Sequence, residues 1–277
     1  MLTGYGTLAT AQQAMMGGAN QYLRKPPDIE ELLEAVRQID SVKAVVVVTT
    51  DKVYENKEQD AGYIESDRLG GFDPYSNSKA CAELAVSSYR NSFFSDRKTL
   101  IATARAGNVI GGGDWSEDRL LPDVFRSIVF GDELQIRNPN SVRPWQHVLE
   151  PLYGYMLLAE KLYEGKRECA DAWNFGPEDQ DTRSVGDVLF EIENLWNGDV
   201  KWDLNAEKDS HETTLLRLDN TKAKKVLNWK PGLNLTSATA LTVEWYQGFM
   251  EQSDLVELTK KQVTLYQKLI KSETKTA

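Results

Sequence analysis

A tyrosine and a lysine four residues apart, Tyr75 and Lys79, form the pattern with the most chemical content in this chain. They lie in the segment 73–79, where an aspartate followed by a proline is typical of a helix start. Residues with this spacing share one helical face, so the ammonium would lie close to the phenol and stabilise its anion. Because an ordinary tyrosine has a pKa of about 10, the phenol needs such stabilisation to act as a base at neutral pH. The pair therefore predicts a proton-transfer site at the start of a helix.

A second group of polar residues, Thr50, Asp51 and Lys52, follows a run of mainly β-branched residues at 42–49. That run is typical of a parallel strand covered on both faces. The polar residues would emerge at the carboxyl end of the strand, where doubly wound sheets bind their ligands. Taken alone, the group has a second interpretation as a solvated turn, and the tyrosine–lysine pair favours the chemical one.

Composition excludes several classes of function. The 277 residues carry a net charge of −10, which argues against a nucleic-acid or acidic-membrane partner. Two cysteines and two histidines without metal-ligand spacing predict no metal site and suit a reducing compartment. No apolar run reaches the length of a membrane span, and the first residues lack the pattern of a signal peptide. We therefore expect a cytoplasmic protein without a membrane partner.

The surrounding segments alternate between strand and helix patterns, which predicts an α/β fold. Residues 1–39 have the pattern strand–helix–strand–helix, and the strand at 42–49 follows them. A helix at 74–90 carries the tyrosine–lysine pair. A further strand at 100–105 leads into a glycine-rich loop at 107–115.

Several segments together resemble the extended short-chain dehydrogenase/reductase family, and most closely its CDP-glucose 4,6-dehydratase branch. The resemblance covers about residues 40–250, in the family's order and at its spacings. The segments that carry it are residues 49–54, 75–79, 105–115, 143–151, 173–177 and 218–223. Together they are far more specific than Tyr-x-x-x-Lys, which arises by chance in many helices.

The resemblance implies a reaction in which a sugar is oxidised at C4 with NAD, loses water across C5 and C6, and then receives the hydride at C6. By the match, Tyr75 would take the proton of the C4 hydroxyl, and Lys79 would hold the nicotinamide ribose. Thr50 would orient the C4 oxygen, and Asp51 would protonate the departing C6 hydroxyl. Lys52 stands where many relatives carry a glutamate as the C5 base, and the CDP-glucose branch has lysine there. A lysine base needs burial or a neighbouring cation to favour its neutral form.

Four residues are predicted to bind the substrate. Asn108, in the glycine-rich loop, offers an amide to a diphosphate oxygen, and Arg119 and Arg143 offer guanidinium groups suited to phosphate. Each arginine has the alternative of a surface ion pair. Glu212 follows the family position near the sugar nucleotide, although its polar segment is equally consistent with exposure. The partner implied is a CDP-sugar.

The N-terminal segment, where members of the family bind the cofactor, differs in sequence from theirs. Extended relatives begin with a strand and Thr-Gly-x-x-Gly-x-x-Gly, whose glycines let a helix start approach the pyrophosphate. That motif is absent from the 277 residues, and the nearest imitation contains Gly4 and Gly6, which we take as the candidate cofactor loop. Residues 1–36 instead resemble the last part of a response-regulator receiver domain. Thr3 and Lys25 match its switch hydroxyl and phosphate-contacting lysine. No phosphoacceptor aspartate accompanies them, so phosphorelay signalling is not expected.

These observations predict a shortened, doubly wound parallel sheet of Rossmann type, with a flavodoxin-like N-terminal piece and a smaller mixed α/β substrate lobe. The hybrid domain would comprise residues 1–115, as a receiver-like segment 1–39 and a dehydratase-like segment 40–115. The sugar-nucleotide lobe would comprise 116–277, with some elements returning to the sheet.

The function predicted is that of a CDP-glucose 4,6-dehydratase-type lyase by ancestry, impaired by loss of the N-terminal NAD-binding half. The alternative is a catalytically inactive chimeric scaffold that retains part of the CDP-sugar site. A homodimer is also predicted, because the catalytic-tyrosine helix often pairs subunits in this family. Ala82, Ala85 and Val86 are the candidate contact residues.

Overall fold

The computed structural model describes residues 2–3, 23–24, 28–132, 134–136, 138–196, 202–204 and 215–273. Its strands are β1 (Leu2–Thr3), β2 (Leu23–Arg24), β3 (Ala44–Val48), β4 (Leu100–Ala106), β5 (Asn108–Ile110), β6 (Gln135–Ile136), β7 (Val142–His147), β8 (Ala172–Phe175), β9 (Thr182–Ser184) and β10 (Asp203–Leu204). Its α-helices are α1 (Ile29–Arg37), α2 (Pro74–Phe93), α3 (Leu120–Phe130), α4 (Leu149–Tyr163), α5 (Val185–Trp196), α6 (Leu235–Met250) and α7 (Leu255–Glu273).

A parallel sheet with the order β3–β4–β8 forms the centre of the molecule. Alternate residues of its strands point to opposite faces. Val45, Val47 and Ile101 pack with α1 and α2 on one face. The other face, which includes Val46 and Ala102, packs against α4. Every residue of β4 is buried. The prediction of a doubly wound parallel α/β fold is therefore confirmed.

A second sheet has the strand order β5–β7–β9. In it β7 pairs in parallel with β5 and antiparallel with β9. An apolar cluster from α3, α5 and α6 packs beside it, with Phe125 and Tyr246 stacked at 3.8 Å between ring centroids. The prediction of a continuous loop at 107–115 is wrong at its start, because residues 108–110 form β5. Their partner strand lies far along the chain, so local sequence gave no sign of the pairing.

Helix α2 begins where the sequence predicted and runs to Phe93 rather than residue 90. The side chain of Asp73 accepts hydrogen bonds from the backbone amide of Ser76, at 3.0 Å, and from its hydroxyl. Such a cap satisfies an amide that has no partner within the helix. Gly71 lies against this first turn, and a Cβ there would fall 2.2 Å from the Ser76 carbonyl carbon. The preceding loop is thus held tightly against the start of α2.

Two sequence predictions concern surfaces and the N-terminal segment. Val86, a candidate dimer contact, is fully buried against Leu33 and Phe94, so it belongs to the core of the protomer and that part of the prediction is wrong.

Within residues 1–27 the structure describes the parallel backbone pair β1–β2. The first of the two helices predicted within residues 1–39 lies outside the described residues, as do Gly4 and Gly6. None of the described helices combines the length and apolar character needed to cross a bilayer.

Replacing Gly154, on α4, with alanine should destabilise the fold. The new Cβ would lie 2.3 Å from Cδ1 of Phe175, a buried ring of β8. Alanine gains about 1 kcal/mol in helix propensity, whereas forced overpacking costs about 1–3 kcal/mol. We expect a net loss of up to about 2 kcal/mol in the free energy of unfolding, measured by urea denaturation. Gly70→Ala is the control, because its Cβ would meet nothing closer than 3.5 Å. Equal stability of both variants would contradict the packing described.

Candidate active site

The polar turn after β3 places a carboxylate beside a hydroxyl. Thr50 caps a short 3₁₀ turn at Asp51–Val53, and its Oγ1 accepts a hydrogen bond from the Lys52 amide at 3.4 Å. The same hydroxyl donates to Oδ1 of Asp51 at 3.0 Å. The orientation of the acid is therefore fixed by its neighbour in sequence.

Asp51 is 2% exposed, and its Oδ2 is buried without a hydrogen-bond partner among the described residues. Burial raises the pKa of Asp51 to about 6, although the hydrogen bond from Thr50 and the positive charges of Lys52 and Arg143 oppose the shift. Low-dielectric surroundings favour the neutral acid over the carboxylate. A carboxyl group of this kind can deliver a proton near neutral pH.

Tyr75 and Lys79 lie at the start of α2, which packs against the Asp51–Val53 turn. Tyr75 is 53% exposed, and the Lys79 ammonium is 5.8 Å from the centre of its ring. The sequence-predicted pair therefore shares one helical face and faces open space. The acid of the β3 turn and the tyrosine helix belong to one region of the molecule.

Arg143 and Asn108 come from the adjoining sheet. Arg143 is 7% exposed on β7, where its Nη1 donates to the Val142 carbonyl at 3.0 Å and its charge acts on Asp51. Asn108 begins β5, opposite Trp145, two positions beyond Arg143. This sheet thus brings a cation towards the β3 turn and places an amide one strand away.

The remaining predicted residues have different surroundings. Arg119 precedes α3 and forms an exposed ion pair with Asp114 at 3.3 Å, which matches the alternative stated for it. Lys52 is exposed, so the burial that a lysine base requires is not provided by the described residues. Glu212, like Gly4 and Gly6, lies outside the described residues.

Sequence reasoning missed two features of the site. The charge of Asp51 reaches Tyr155 on α4, and burial together with that charge raises the pKa of the phenol. Glu83, four residues beyond Lys79 and on its helical face, is buried in an ion pair with Arg105. The spacing of four residues places Glu83 near Lys79, but its burial depends on how α2 packs. Nothing in the local pattern marked Tyr155.

The open start of α2 fits the ribose side of a nicotinamide cofactor. In the part of the chain that the structure describes, the Tyr75 hydroxyl and the Lys79 ammonium make no side-chain hydrogen bond or ion pair, so both can serve a ribose diol. The candidate pyrophosphate loop lies outside the described residues. The described residues contain no cluster of histidine, cysteine or carboxylate side chains able to hold a metal ion.

Residues 29–242 match the family of GDP-mannose 4,6 dehydratases. The chain belongs to this family. Among relatives of this dehydratase-family chain, the CDP-glucose 4,6-dehydratase of Salmonella typhimurium is 45% identical over 240 residues, which cover 85% of the chain and 67% of that enzyme. A trifunctional UDP-glucose 4,6-dehydratase/3,5-epimerase/reductase of Arabidopsis thaliana is 28% identical over 219 residues, covering 78% of the chain and 31% of that protein.

Solved structures agree on the fold. The dTDP-glucose 4,6-dehydratase of Bacillus anthracis, solved with NAD, superposes with a TM-score of 0.70 at 19% identity and covers 88% of this chain and 78% of that one. The UDP-glucuronic acid 4-epimerase of Bacillus cereus, solved with UDP-glucuronic acid and NAD, gives a TM-score of 0.71 at 16% identity, covering 88% and 81%. The dehydratase-family chain therefore shares the Rossmann-type fold of extended dehydratases and epimerases.

Asp51→Asn should change how stability depends on pH. The native pKa of about 6 exceeds the ordinary value of 3.8, so the native state binds this proton more tightly than the unfolded chain. Stability contributed by Asp51 is then greatest at low pH, and falls between about pH 4 and 6 by roughly 1.4 kcal/mol per unit. The variant lacks this loss.

Urea unfolding at several pH values tests the prediction. The stability of Asp51→Asn relative to the parent should rise between about pH 4 and 6 and level off above pH 7. Asp96→Asn, at an exposed position, controls for the loss of one charge. A difference between Asp51→Asn and the parent that stays constant across this range would contradict a buried, proton-binding carboxyl group.

Proposed function

We propose that this chain is a sugar-nucleotide 4,6-dehydratase whose substrate is CDP-glucose. The observation that carries the proposal is the buried acid Asp51 in a turn packed against the helix of Tyr75 and Lys79. A dehydration of this type needs an acid at one carbon and a base at another; Asp51 is the proposed acid and its neighbour Lys52 is the proposed base. The 45% identity to the Salmonella CDP-glucose 4,6-dehydratase supports the choice of nucleotide.

In the proposed mechanism, Tyr75 accepts the proton of the sugar C4 hydroxyl as that carbon is oxidised. The Lys79 ammonium lies one helical turn along the same face, 5.8 Å from the centre of the Tyr75 ring. Thr50 holds the C4 oxygen by a hydrogen bond and so fixes the sugar relative to the phenol. Orientation and proton transfer are thus supplied by two elements that pack against each other.

Elimination follows from the 4-keto sugar. The C5 proton is acidified by the adjacent carbonyl and is taken by Lys52, while protonated Asp51 delivers its proton to the departing C6 hydroxyl. The raised pKa of Asp51, about 6, keeps part of it in the acid form at neutral pH. Lys52 is exposed here, so its role requires that the bound sugar cover its amine.

NAD, when bound, supplies the hydride acceptor for the oxidation and the donor for the final reduction at C6. Lys79 and Tyr75 would hold its ribose, and Gly4 and Gly6 are the proposed pyrophosphate contacts. Arg143 and Asn108 would bind the CDP diphosphate, with Arg119 and Glu212 as further contacts. A cytoplasmic location, a homodimer and a chimeric origin of residues 1–36 stay predictions from the sequence.

A second candidate is a scaffold that binds CDP-sugars without turnover. It would apply if Gly4 and Gly6 do not replace the Thr-Gly-x-x-Gly-x-x-Gly motif, which brings backbone amides to the pyrophosphate. In this case the site keeps its catalytic residues but lacks affinity for the cofactor. The two candidates differ in a single measurable property, the binding of NAD.

Calorimetry with NAD, followed by a turnover assay, separates the candidates. An active dehydratase should bind NAD at micromolar concentration and convert CDP-glucose into a 4-keto product that absorbs in alkali. Titration with CDP alone checks that the substrate site is folded. Binding of CDP with no NAD signal at millimolar concentration would overturn the enzyme proposal and support the scaffold.

Tyr75→Phe should lower kcat by about 10²–10⁴-fold, the usual contribution of a positioned proton acceptor. The ring of Tyr75 is half exposed, so loss of its hydroxyl should leave stability and CDP binding nearly unchanged. Tyr89→Phe makes the same change farther along α2 and should retain full turnover. Equal activity of the two variants would rule out Tyr75 as the base.

A further inference from the structure

The carboxylate of Glu83 receives hydrogen bonds from three different side chains. Thr49 Oγ1 donates to Oε1 at 2.5 Å, and Thr103 Oγ1 donates to Oε2 at 2.6 Å. Arg105 adds a two-pronged contact, with Nε on Oε1 and Nη2 on Oε2, both at 2.9 Å. Four donors on two oxygens fix this carboxylate in both position and rotation.

The ionised form of Glu83 is the one that these contacts hold. Glu83 is 3% exposed, and its burial acts to raise the pKa of the carboxyl group. The Arg105 guanidinium and the threonine hydroxyls outweigh burial, so the pKa of Glu83 lies below its ordinary value. A buried charge of this kind persists only when it is paired and hydrogen-bonded. The Arg105 guanidinium is thus the contact that keeps this charge neutralised, and the two hydroxyls orient the carboxylate.

The position of Glu83 connects the two halves of the candidate site. It lies on α2, four residues beyond Lys79 and eight beyond Tyr75, so the three side chains fall along one helical face. Its contact Thr49 directly precedes Thr50 and Asp51 at the end of β3. One carboxylate thus joins the helix of the proposed base to the turn of the proposed acid.

We infer that Glu83 is a positioning residue, which sets the distance between the Tyr75–Lys79 helix and the Thr50–Asp51 turn through its hydrogen bond to Thr49. It touches no reacting atom in this role. The predicted effect of Glu83 on turnover rests on the proposed function. Its predicted effect on the placement of the Thr50–Asp51 turn does not. The inference predicts a larger effect for loss of the Thr49 hydroxyl than for loss of the Thr103 hydroxyl. Thr49 lies next to the Thr50–Asp51 turn, whereas Thr103 lies within β4.

Three variants of the full chain test the inference. Thr49→Val removes the hydroxyl that meets Glu83, Thr49→Ser keeps a hydroxyl there, and Thr103→Val removes the other hydroxyl contact. The first should lower kcat about 10-fold or more while KM changes less than about 2-fold, because misplacement of the turn weakens only the transition state. Thr49→Ser should recover most of the activity. Thr103→Val should stay within about 3-fold of the parent in kcat.

Hydrogen exchange followed by mass spectrometry gives a readout that does not depend on turnover. Backbone amides at 50–54 should exchange faster in Thr49→Val than in Thr49→Ser or Thr103→Val. If the parent shows no turnover, the proposed function fails, yet this selective exchange would still support positioning. If both valine variants change exchange and kcat alike, Glu83 is a general structural brace and the inference is overturned.

Discussion

The buried ion pair between Arg105 and Glu83 is the interaction on which the arrangement of the central sheet depends. Both side chains are 3% exposed, and their closest atoms are 2.9 Å apart. Removing either partner leaves a charge in the protein interior, which costs about 3–5 kcal/mol. The pair connects β4 to α2 across the face of the sheet, so the position of the helix that carries the proposed base depends on a charge that no single element can neutralise.

The same guanidinium extends the connection to the far strand. Arg105 Nη1 donates to the Tyr54 hydroxyl at 2.7 Å, and that hydroxyl donates to Asn174 Oδ1 at 2.8 Å. Asn174 in turn donates from its amide to the carbonyls of Tyr63 and Asp219. Every polar atom in this chain of contacts serves a neighbour, as buried networks require. The candidate site thus adjoins a polar layer to which β4 contributes Arg105, β8 contributes Asn174 and α2 contributes Glu83.

Sequence reasoning succeeded where one physical signal dominated. The β-branched run of β3 and the Asp73 cap of α2 each determined an element, and the family match selected Asp51, which the structure then shows to be buried. It failed where tertiary contacts decide the outcome. Strand β5 depends on pairing with a distant segment, and the burial of Val86 and Glu83 depends on how α2 packs. A helical pattern with a weak apolar face gives no means of predicting which side is covered.

The place of β8 in the central sheet has a consequence for biosynthesis. This strand is residues 172–175, yet it pairs with β4, the central strand that separates it from β3. The polar layer therefore lacks Asn174 until most of the chain has left the ribosome. Contacts between segments so distant in sequence form slowly, because a long loop must close before they contribute. During that interval the edge of β4 that later pairs with β8 would be uncovered in the nascent sheet. A chaperone that shields strand edges would have its greatest effect at this stage.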